Sequence, residues 1–237
     1  MPNRKPNPQI ANTIRSRGIY SIRAAAMLLG ENSATVQRWA FGYRRRGIPY
    51  RAAIETSVPA IDGTQVLTFL ELVELLFIQG LLKAGLSWPK VREASRTAAE
   101  LLSNEPHPFA TRRWFFDAAS LYVELGETHN DRMLVEIGKG SQIAMEAVLR
   151  PYLQQIDFGI GGVAERWYPQ GRGTPVVVDP ARAFGMPVTE TSGVPTEALA
   201  ALHAAGDSVE KIAAWFRVSE SEVKAAVGFE HRMARSN

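Results

Sequence analysis

Ser33, Thr35, Gln37 and Arg38 fall within one short stretch, and Tyr43, Arg44, Arg45, Arg46 and Arg51 follow closely. The first four carry polar tips that can meet base edges. Gln bonds adenine through two hydrogen bonds, and Arg bonds guanine likewise. The later arginines carry permanently charged, forked donors suited to phosphate oxygens. Such contacts set affinity and register and do not read sequence. The chemistry open to this set is non-covalent recognition of a duplex, with Arg44 to Arg46 expected near the exit of a helix and Arg51 on a wing.

Signals for bond-breaking chemistry are weak by comparison. The chain has no cysteine, which excludes disulfides and thiolate metal sites. His107, His129, His203 and His231 are scattered without metal-ligand spacing, and each is expected at the surface or in a cap. Gly159-Ile-Gly-Gly162 and Gly171-Arg-Gly173 lack the lysine and the strand–helix frame of a phosphate loop. Asp157-Phe-Gly159 stands without the rest of a kinase set, and Ser141 has no nucleophile-elbow frame. Asp117, Glu124 and Glu136 alternate with apolar residues and read as a solvated strand face; they are the one seed of a nuclease reading. No catalytic residue, metal or cofactor is expected, and the chain does not read as an enzyme.

Charge is unevenly spread. The 237 residues carry a net charge of +3, but residues 1 to 57 hold ten Lys/Arg against Glu31 and Glu55, a net +8. Residues 104 to 237 hold 13 basic and 17 acidic residues, a net −4. A polyanionic partner is implied for the front and a different task for the back. No apolar run approaches the roughly 18 residues of a membrane span, and no signal peptide is recognisable. A soluble cytoplasmic protein is expected.

The elements that must position these residues follow from periodicity and caps. Residues 1 to 17 read as a flexible basic arm. Ile22, Ala25, Ala26 and Leu29 share one helical face that ends at Gly30, and Val36, Trp39 and Ala40 continue on a second helix capped by Asn32 or Ser33. Between 47 and 66, Gly47, Pro49, Pro59 and Asp62-Gly63 break helical period, and a β-wing with β-prone pieces such as Ala53-Ile-Glu-Thr is expected. Helices are expected over 68–84 and 87–103. A small antiparallel meander is expected from Trp114-Phe-Phe116, Leu121 to Leu125 and Met133 to Ile137, its aromatics in the core. A helix over 141–155, strands over 163–168 and 175–179, and three helices over 195–205, 208–216 and 219–231 complete the chain. The fold class is α+β and mainly helical: an N-terminal winged helix-turn-helix, a small antiparallel sheet in the middle, and a C-terminal trihelical domain.

Two stretches resemble known families. Tyr20-Ser-Ile, Ala26-Met-Leu-Leu-Gly30, Thr35-Val-Gln-Arg-Trp39, Leu67-Thr-Phe-Leu-Glu-Leu-Val-Glu-Leu-Leu-Phe-Ile78 and Leu82-Lys-Ala-Gly-Leu-Ser87 resemble the MerR-type winged-helix DNA-binding domain over about residues 18 to 103. Glu31 stands where that family usually has a small apolar residue, and no long coiled-coil helix follows. The strand ending in Asp179-Pro180, Gly185-Met-Pro-Val188, Ala205-Gly-Asp-Ser208, Glu210-Lys-Ile212 and Glu222-Val-Lys-Ala-Ala226 resemble the family called domain of unknown function 433. Its usual Gly-Thr-Arg-Ile-Pro turn is here Thr191-Ser-Gly-Val-Pro195. Proteins joining such a domain to an N-terminal helix-turn-helix resemble VapB-type antitoxins, which implies a PIN-like ribonuclease toxin as partner.

The expected organisation is an arm (1–17), a MerR-like DNA-binding domain (18–103), a small α+β middle region (104–174) and a trihelical antitoxin-type domain (175–237). The expected function is a type II antitoxin that neutralises a PIN-like ribonuclease by direct binding and represses its own operon. Operator DNA would be bound as a homodimer, because paired half-sites match two-fold symmetry. Arg166, Arg172 and Arg182 are candidates for occluding the toxin's acidic metal ligands. For the C-terminal helices, acidic Glu220 and Glu222 favour protein over DNA. The alternative is a stand-alone winged-helix regulator with a sensor or dimerisation domain in the middle.

Overall fold

The computed structural model describes residues 18–101, 106–111, 114–117, 120–125, 133–139, 151–159 and 162–235, with residue 101 and residues 114–139 described through their backbone. The expected arm over 1–17, and residues 141–150 of the expected helix over 141–155, lie outside them; residues 151–154 are helical. The chain forms two compact units. One gathers the described residues of Met1–Asn32, Ala60–Phe69 and Arg166–Asn237; the other gathers Ser33–Pro59 and Leu70–Glu165.

In the first unit, β1 (Ile19–Ser21) pairs antiparallel with β4 (Val66–Thr68), Tyr20 opposite Leu67. Helix α1 (Ile22–Leu29) begins where the Ser21 hydroxyl accepts from Ala24 N–H at 3.1 Å. It ends at Gly30, whose left-handed φ of 65° lets the chain turn back while its N–H and that of Glu31 satisfy the last carbonyls. Strand β10 (Val176–Val178) is fully buried and pairs with β11 (Pro187–Thr189) and with Trp167 at the end of β9 (Ala164–Trp167). Helices α5 (Thr196–Ala204), α6 (Val209–Phe216) and α7 (Glu220–Arg235) share a core of Leu199, Ile212, Ala213, Val223 and Ala226. Ser208 caps α6 through Lys211 N–H.

In the second unit, α2 (Ser33–Phe41) leads into a hairpin of β2 (Tyr43–Arg45) and β3 (Ile48–Tyr50). Helix α3 (Phe69–Lys83) is buried on nearly every side, with Leu72, Val73, Leu75, Phe77, Ile78 and Leu81 at 0–1% exposure, as an axial core helix must be. Helix α4 (Trp88–Leu101) is amphipathic and buries Val91, Ala94 and Ala98. Phe77 stacks on Phe109 at 4.8 Å. Strands β5 (Trp114–Asp117), β6 (Ser120–Leu125) and β7 (Met133–Lys139) form an antiparallel meander in sequential order, and α4 lies against β6 and β7. Strand β8 (Ile156–Phe158) turns back through Gly159, whose N–H donates to Val163 O at 2.9 Å.

The molecule thus combines helices with small antiparallel sheets, and several expectations need correction. The wing begins earlier than expected: its hairpin spans 43–50, so only β3 falls within 47–66, and Ala53-Ile-Glu-Thr is irregular, with Ala53 and Ile54 turned into the core. The Ala53 N–H is satisfied by Trp39 O at 2.8 Å, so no strand partner is needed there. Arg44, Arg45 and Arg46 therefore belong to the hairpin and its turn. His107 is buried rather than superficial. Strands β1, β4, β8 and β11 were not anticipated.

Candidate nucleic-acid interface

Nine sequence-selected residues, Ser33 to Arg51, all lie in the second unit. Helix α2 turns Val36, Trp39 and Ala40 inward and leaves Ser33, Gln37 and Arg38 exposed, with Thr35 half-buried. This separation follows from 3.6-residue periodicity. Arg38 Nη2 donates to Thr35 Oγ1 at 3.1 Å, so these two side chains act as a pair one turn apart.

Gly42 ends α2 with a φ of 73°, and its N–H donates to Arg38 O at 3.0 Å. A β-carbon here would collide with the Tyr50 carbonyl and come within 2.9 Å of Ala52 N, so only glycine lets the hairpin start so close to the helix. The Ala53–Trp39 bond holds the other end of the hairpin to the same helix. Arg46 (φ 50°) and Gly47 (φ 80°) are both left-handed, as a two-residue type I′ turn requires. Tyr43 and Tyr50 stand opposite each other and stack at 4.7 Å with planes 4° apart. Both strands are exposed apart from half-buried Tyr50, and Ile48 at the tip is 58% exposed. The result is a rigid, projecting finger with Arg44, Arg45 and Arg46 along it.

Arg51 leaves the finger and joins Arg38, Trp39, Tyr43, Trp88 and Arg92 around a recess of about 240 Å³. Trp39 and Trp88 touch at 5.9 Å, and the Arg92 guanidinium lies 5.6 Å from the Trp88 ring centre. Sequence reading missed Trp88, Arg92 and Tyr50. The only available signal for Arg92 was its spacing of four from Trp88 on an amphipathic helix, which more often marks a solvated face.

Beneath this surface α3 carries two carboxylates that hydropathy alone hides. Glu71, fully buried, accepts from Ser57 N–H at 2.6 Å and from its hydroxyl at 2.9 Å. Glu74 accepts from Phe109 N–H at 3.2 Å and faces His107 Nδ1 at 3.4 Å. Burial, with Glu71 one turn away, pushes the Glu74 carboxyl up, opposed by His107 and the Phe109 bond. These groups tie the loops over 57 and 107–109 to the helix that supports the interface.

The C-terminal candidates are differently placed. Arg166 Nε and Arg182 Nε converge on Asp179 Oδ2 at 3.2 and 3.4 Å, and Arg182 Nη1 also donates to Glu190 O at 2.8 Å. Arg172 lies over the Tyr168 ring at 4.8 Å. The first two are thus gathered at one buried carboxylate, and the third is not. Glu222, expected as a surface charge, is 4% exposed. It accepts from Ser219 N–H and Oγ and donates its own N–H to Ser219 Oγ, a capping box, while its other oxygen accepts from Ser192 N–H and Oγ at 3.0 Å. Glu220 pairs with Lys224.

Among the described residues no group of three or more His, Asp or Glu could hold a metal, and no helix is long and apolar enough to cross a membrane.

Comparison with known proteins bears on both parts of the chain. Residues 176–229 match the family described as "Protein of unknown function (DUF433)". The chain is 26% identical over 222 residues to "Putative antitoxin VapB45" of Mycobacterium tuberculosis, an alignment covering 88% of this chain and 92% of that protein. The crystal structure of Rv2018 from M. tuberculosis shares the fold, with a TM-score of 0.62 at 21% identity over 88% of this chain and 96% of that one. The chain is therefore similar, across most of its length, to a protein described as "Putative antitoxin VapB45", and residues 176–229 match the DUF433 model.

Proposed function

We propose that this protein is the DNA-binding antitoxin of a type II toxin–antitoxin pair, acting in the cytoplasm, neutralising a PIN-like ribonuclease by direct contact and repressing its own operon. Residues 18–103 act as a MerR-like winged helix-turn-helix on double-stranded operator DNA, aided by the arm over 1–17. Ser33, Thr35, Gln37 and Arg38 face base edges from α2, and Tyr43, Arg44, Arg45, Arg46 and Arg51 hold phosphates from the finger and its base. Residues 104–174 contribute to a homodimer that spans two half-sites. Residues 175–237 hold the toxin, with Arg166, Arg172 and Arg182 at its rim.

The observation that carries the DNA reading is the Arg-bearing finger, fixed to α2 at both ends and exposed on both strands. The antitoxin reading is supported by the likeness to VapB45 over most of both proteins. For the toxin-facing surface, support comes from Trp215 on α6, 68% exposed beside Phe216; large exposed aromatics mark protein interfaces. Co-expression tests the pairing. The open reading frame beside this one is induced alone and together with this protein in a heterologous bacterium. Rescue of growth and of intact RNA is expected, and continued RNA cleavage at equal expression contradicts the proposal.

A second reading, a stand-alone regulator, is favoured by one observation. A cavity of about 670 Å³ lies among Arg51, Glu74, Arg92, Arg96 and Pro108, large enough for a small effector. Under that reading the neighbouring frame is not toxic, and DNA affinity changes with a metabolite.

A further inference from the structure

The recess bounded by Arg38, Trp39, Tyr43, Arg51, Trp88 and Arg92 has three guanidinium groups among its six lining residues and no carboxylate. Like charges gathered in one concavity repel, and a bound anion relieves the repulsion. A second observation points the same way. Arg92 Nε is buried and has no hydrogen-bond partner. A buried donor left unpaired costs about 1–3 kcal/mol, so the Arg92 side chain gains by turning toward an acceptor in the recess.

The walls hold the cations in place. Trp88 fixes the Arg92 guanidinium, Trp39 buttresses Trp88, Thr35 holds Arg38, and stacking on Tyr50 orients Tyr43. The three arginines come from three separate segments, α2, the residue after β3 and α4. That suits a tetrahedral oxyanion better than a flat carboxylate. At about 240 Å³ the recess is smaller than the roughly 300 Å³ at which pockets begin to take drug-sized molecules, so it admits a phosphoryl group and the atoms next to it but not a whole nucleotide.

We propose that this recess is a phosphoryl-binding site, centred on Arg92 and Arg51, with Arg38 at its rim and the Arg92 guanidinium turned toward the bound anion. Its occupant is either a backbone phosphate of a bound duplex, which rests on the function proposed above, or the phosphoryl group of a small molecule, which does not.

Two titrations of the full chain decide between these. Inorganic phosphate is added at constant ionic strength against chloride, read by tryptophan fluorescence and calorimetry, in the wild type, in Arg92→Gln and in the remote control Lys224→Gln. A 20-base-pair duplex is titrated in parallel across salt. Saturable phosphate binding, weakened at least tenfold in Arg92→Gln and unchanged in Lys224→Gln, is expected. A fall of about 0.9 in the salt slope of duplex binding in Arg92→Gln assigns the occupant to DNA. An unchanged slope in Arg92→Gln, together with wild-type phosphate binding that this variant loses, assigns it to a small phosphorylated molecule. If the protein binds no DNA at all, the phosphate arm alone decides. If Arg92→Gln fails to fold by circular dichroism, Arg51→Gln replaces it. Absence of phosphate binding above chloride, together with wild-type slopes in the variants, overturns the proposal.

Discussion

Tyr43 and Tyr50 face each other across the hairpin, rings 4.7 Å apart and 4° from parallel, and this contact stiffens the finger that carries Arg44, Arg45 and Arg46. Aromatic pairs of this kind contribute about 0.5–1.5 kcal/mol beyond their buried area. Tyr50→Ala should therefore weaken duplex binding by a few-fold to about tenfold with little change in global melting, and Tyr50→Phe should not. Fluorescence anisotropy beside a thermal melt checks this. Equal affinities for Ala and Phe would show that the stack does not serve binding.

Arg46 occupies a left-handed position that asparagine or glycine adopts at lower cost. Arg46→Asn should leave the fold as stable or raise its stability by up to about 1 kcal/mol, while removing one phosphate contact and lowering the salt slope by about 0.9. A variant that is more stable and binds DNA less tightly is the expected signature of a charge kept for function in a strained turn. Unchanged binding would make Arg46 an ordinary turn residue.

Part of this was legible before any coordinates. Helix α1 announces itself because Ile22, Ala25, Ala26 and Leu29 share one face that ends at Gly30, and α6 because an apolar face follows Ser208. The hairpin was misplaced because its turn is Arg46-Gly47 rather than Asn-Gly, and a run of arginines reads as a helix exit. Ala53 and Ile54 look β-prone because they are apolar, but their burial against the core is irregular and local pattern cannot tell the two apart. The β1–β4 pair joins residues far apart in the chain, which no local period encodes. Arg92 and Trp88 meet Arg38 and Trp39 only because the chain folds back, so a spacing of four could put them on one helix face but could not reveal the recess. Glu71 and Glu74 were hidden within an otherwise apolar helix, where their satisfaction depends on loops that sequence did not place.

The first unit has its own test in Tyr20, whose hydroxyl donates to Gly185 O at 2.9 Å across 165 residues of sequence. Burial, with Asp179 nearby, pushes the phenol well above its ordinary value, so it stays a neutral donor through the physiological range. Tyr20→Phe should cost about 1 kcal/mol. Gly185→Ala should cost more, because its φ is 85° and an added β-carbon would strike the Tyr20 hydroxyl and come within 3.0 Å of Gly18 Cα. Chemical denaturation of both variants checks the order; a milder effect at Gly185 would contradict the packing described.

Glu222 makes the C-terminal helices acid-sensitive. Burial opposes its ionised form, but hydrogen bonds from Ser192 and Ser219 outweigh burial and hold its carboxyl below the usual range. A lowered folded-state value means a stabilisation that is present above the ordinary carboxylate pKa and is lost as pH falls through the folded one. Glu222→Gln should lose about 1–2 kcal/mol at neutral pH and show a flatter acid limb than the wild type. Parallel acid limbs in the two proteins would remove Glu222 as the cause.

Trp215 separates the two proposed surfaces. Trp215→Ala should abolish or strongly reduce rescue from the neighbouring toxin while leaving operator affinity within about twofold, since interface aromatics commonly cost 2 kcal/mol or more on truncation. Co-purification of the pair and a duplex titration measure both. Full rescue by the variant would move the toxin surface elsewhere.

The central claim, that the Arg44–Arg46 finger beside α2 grips duplex DNA, is tested most directly by titrating the full chain with its own upstream DNA across a series of salt concentrations. The affinity of the wild type should fall steeply with salt, and Arg44→Ala/Arg45→Ala should bind more weakly with a slope shallower by about 1.8. Failure of the wild type to bind even in dilute buffer, or identical slopes for both proteins, would contradict it.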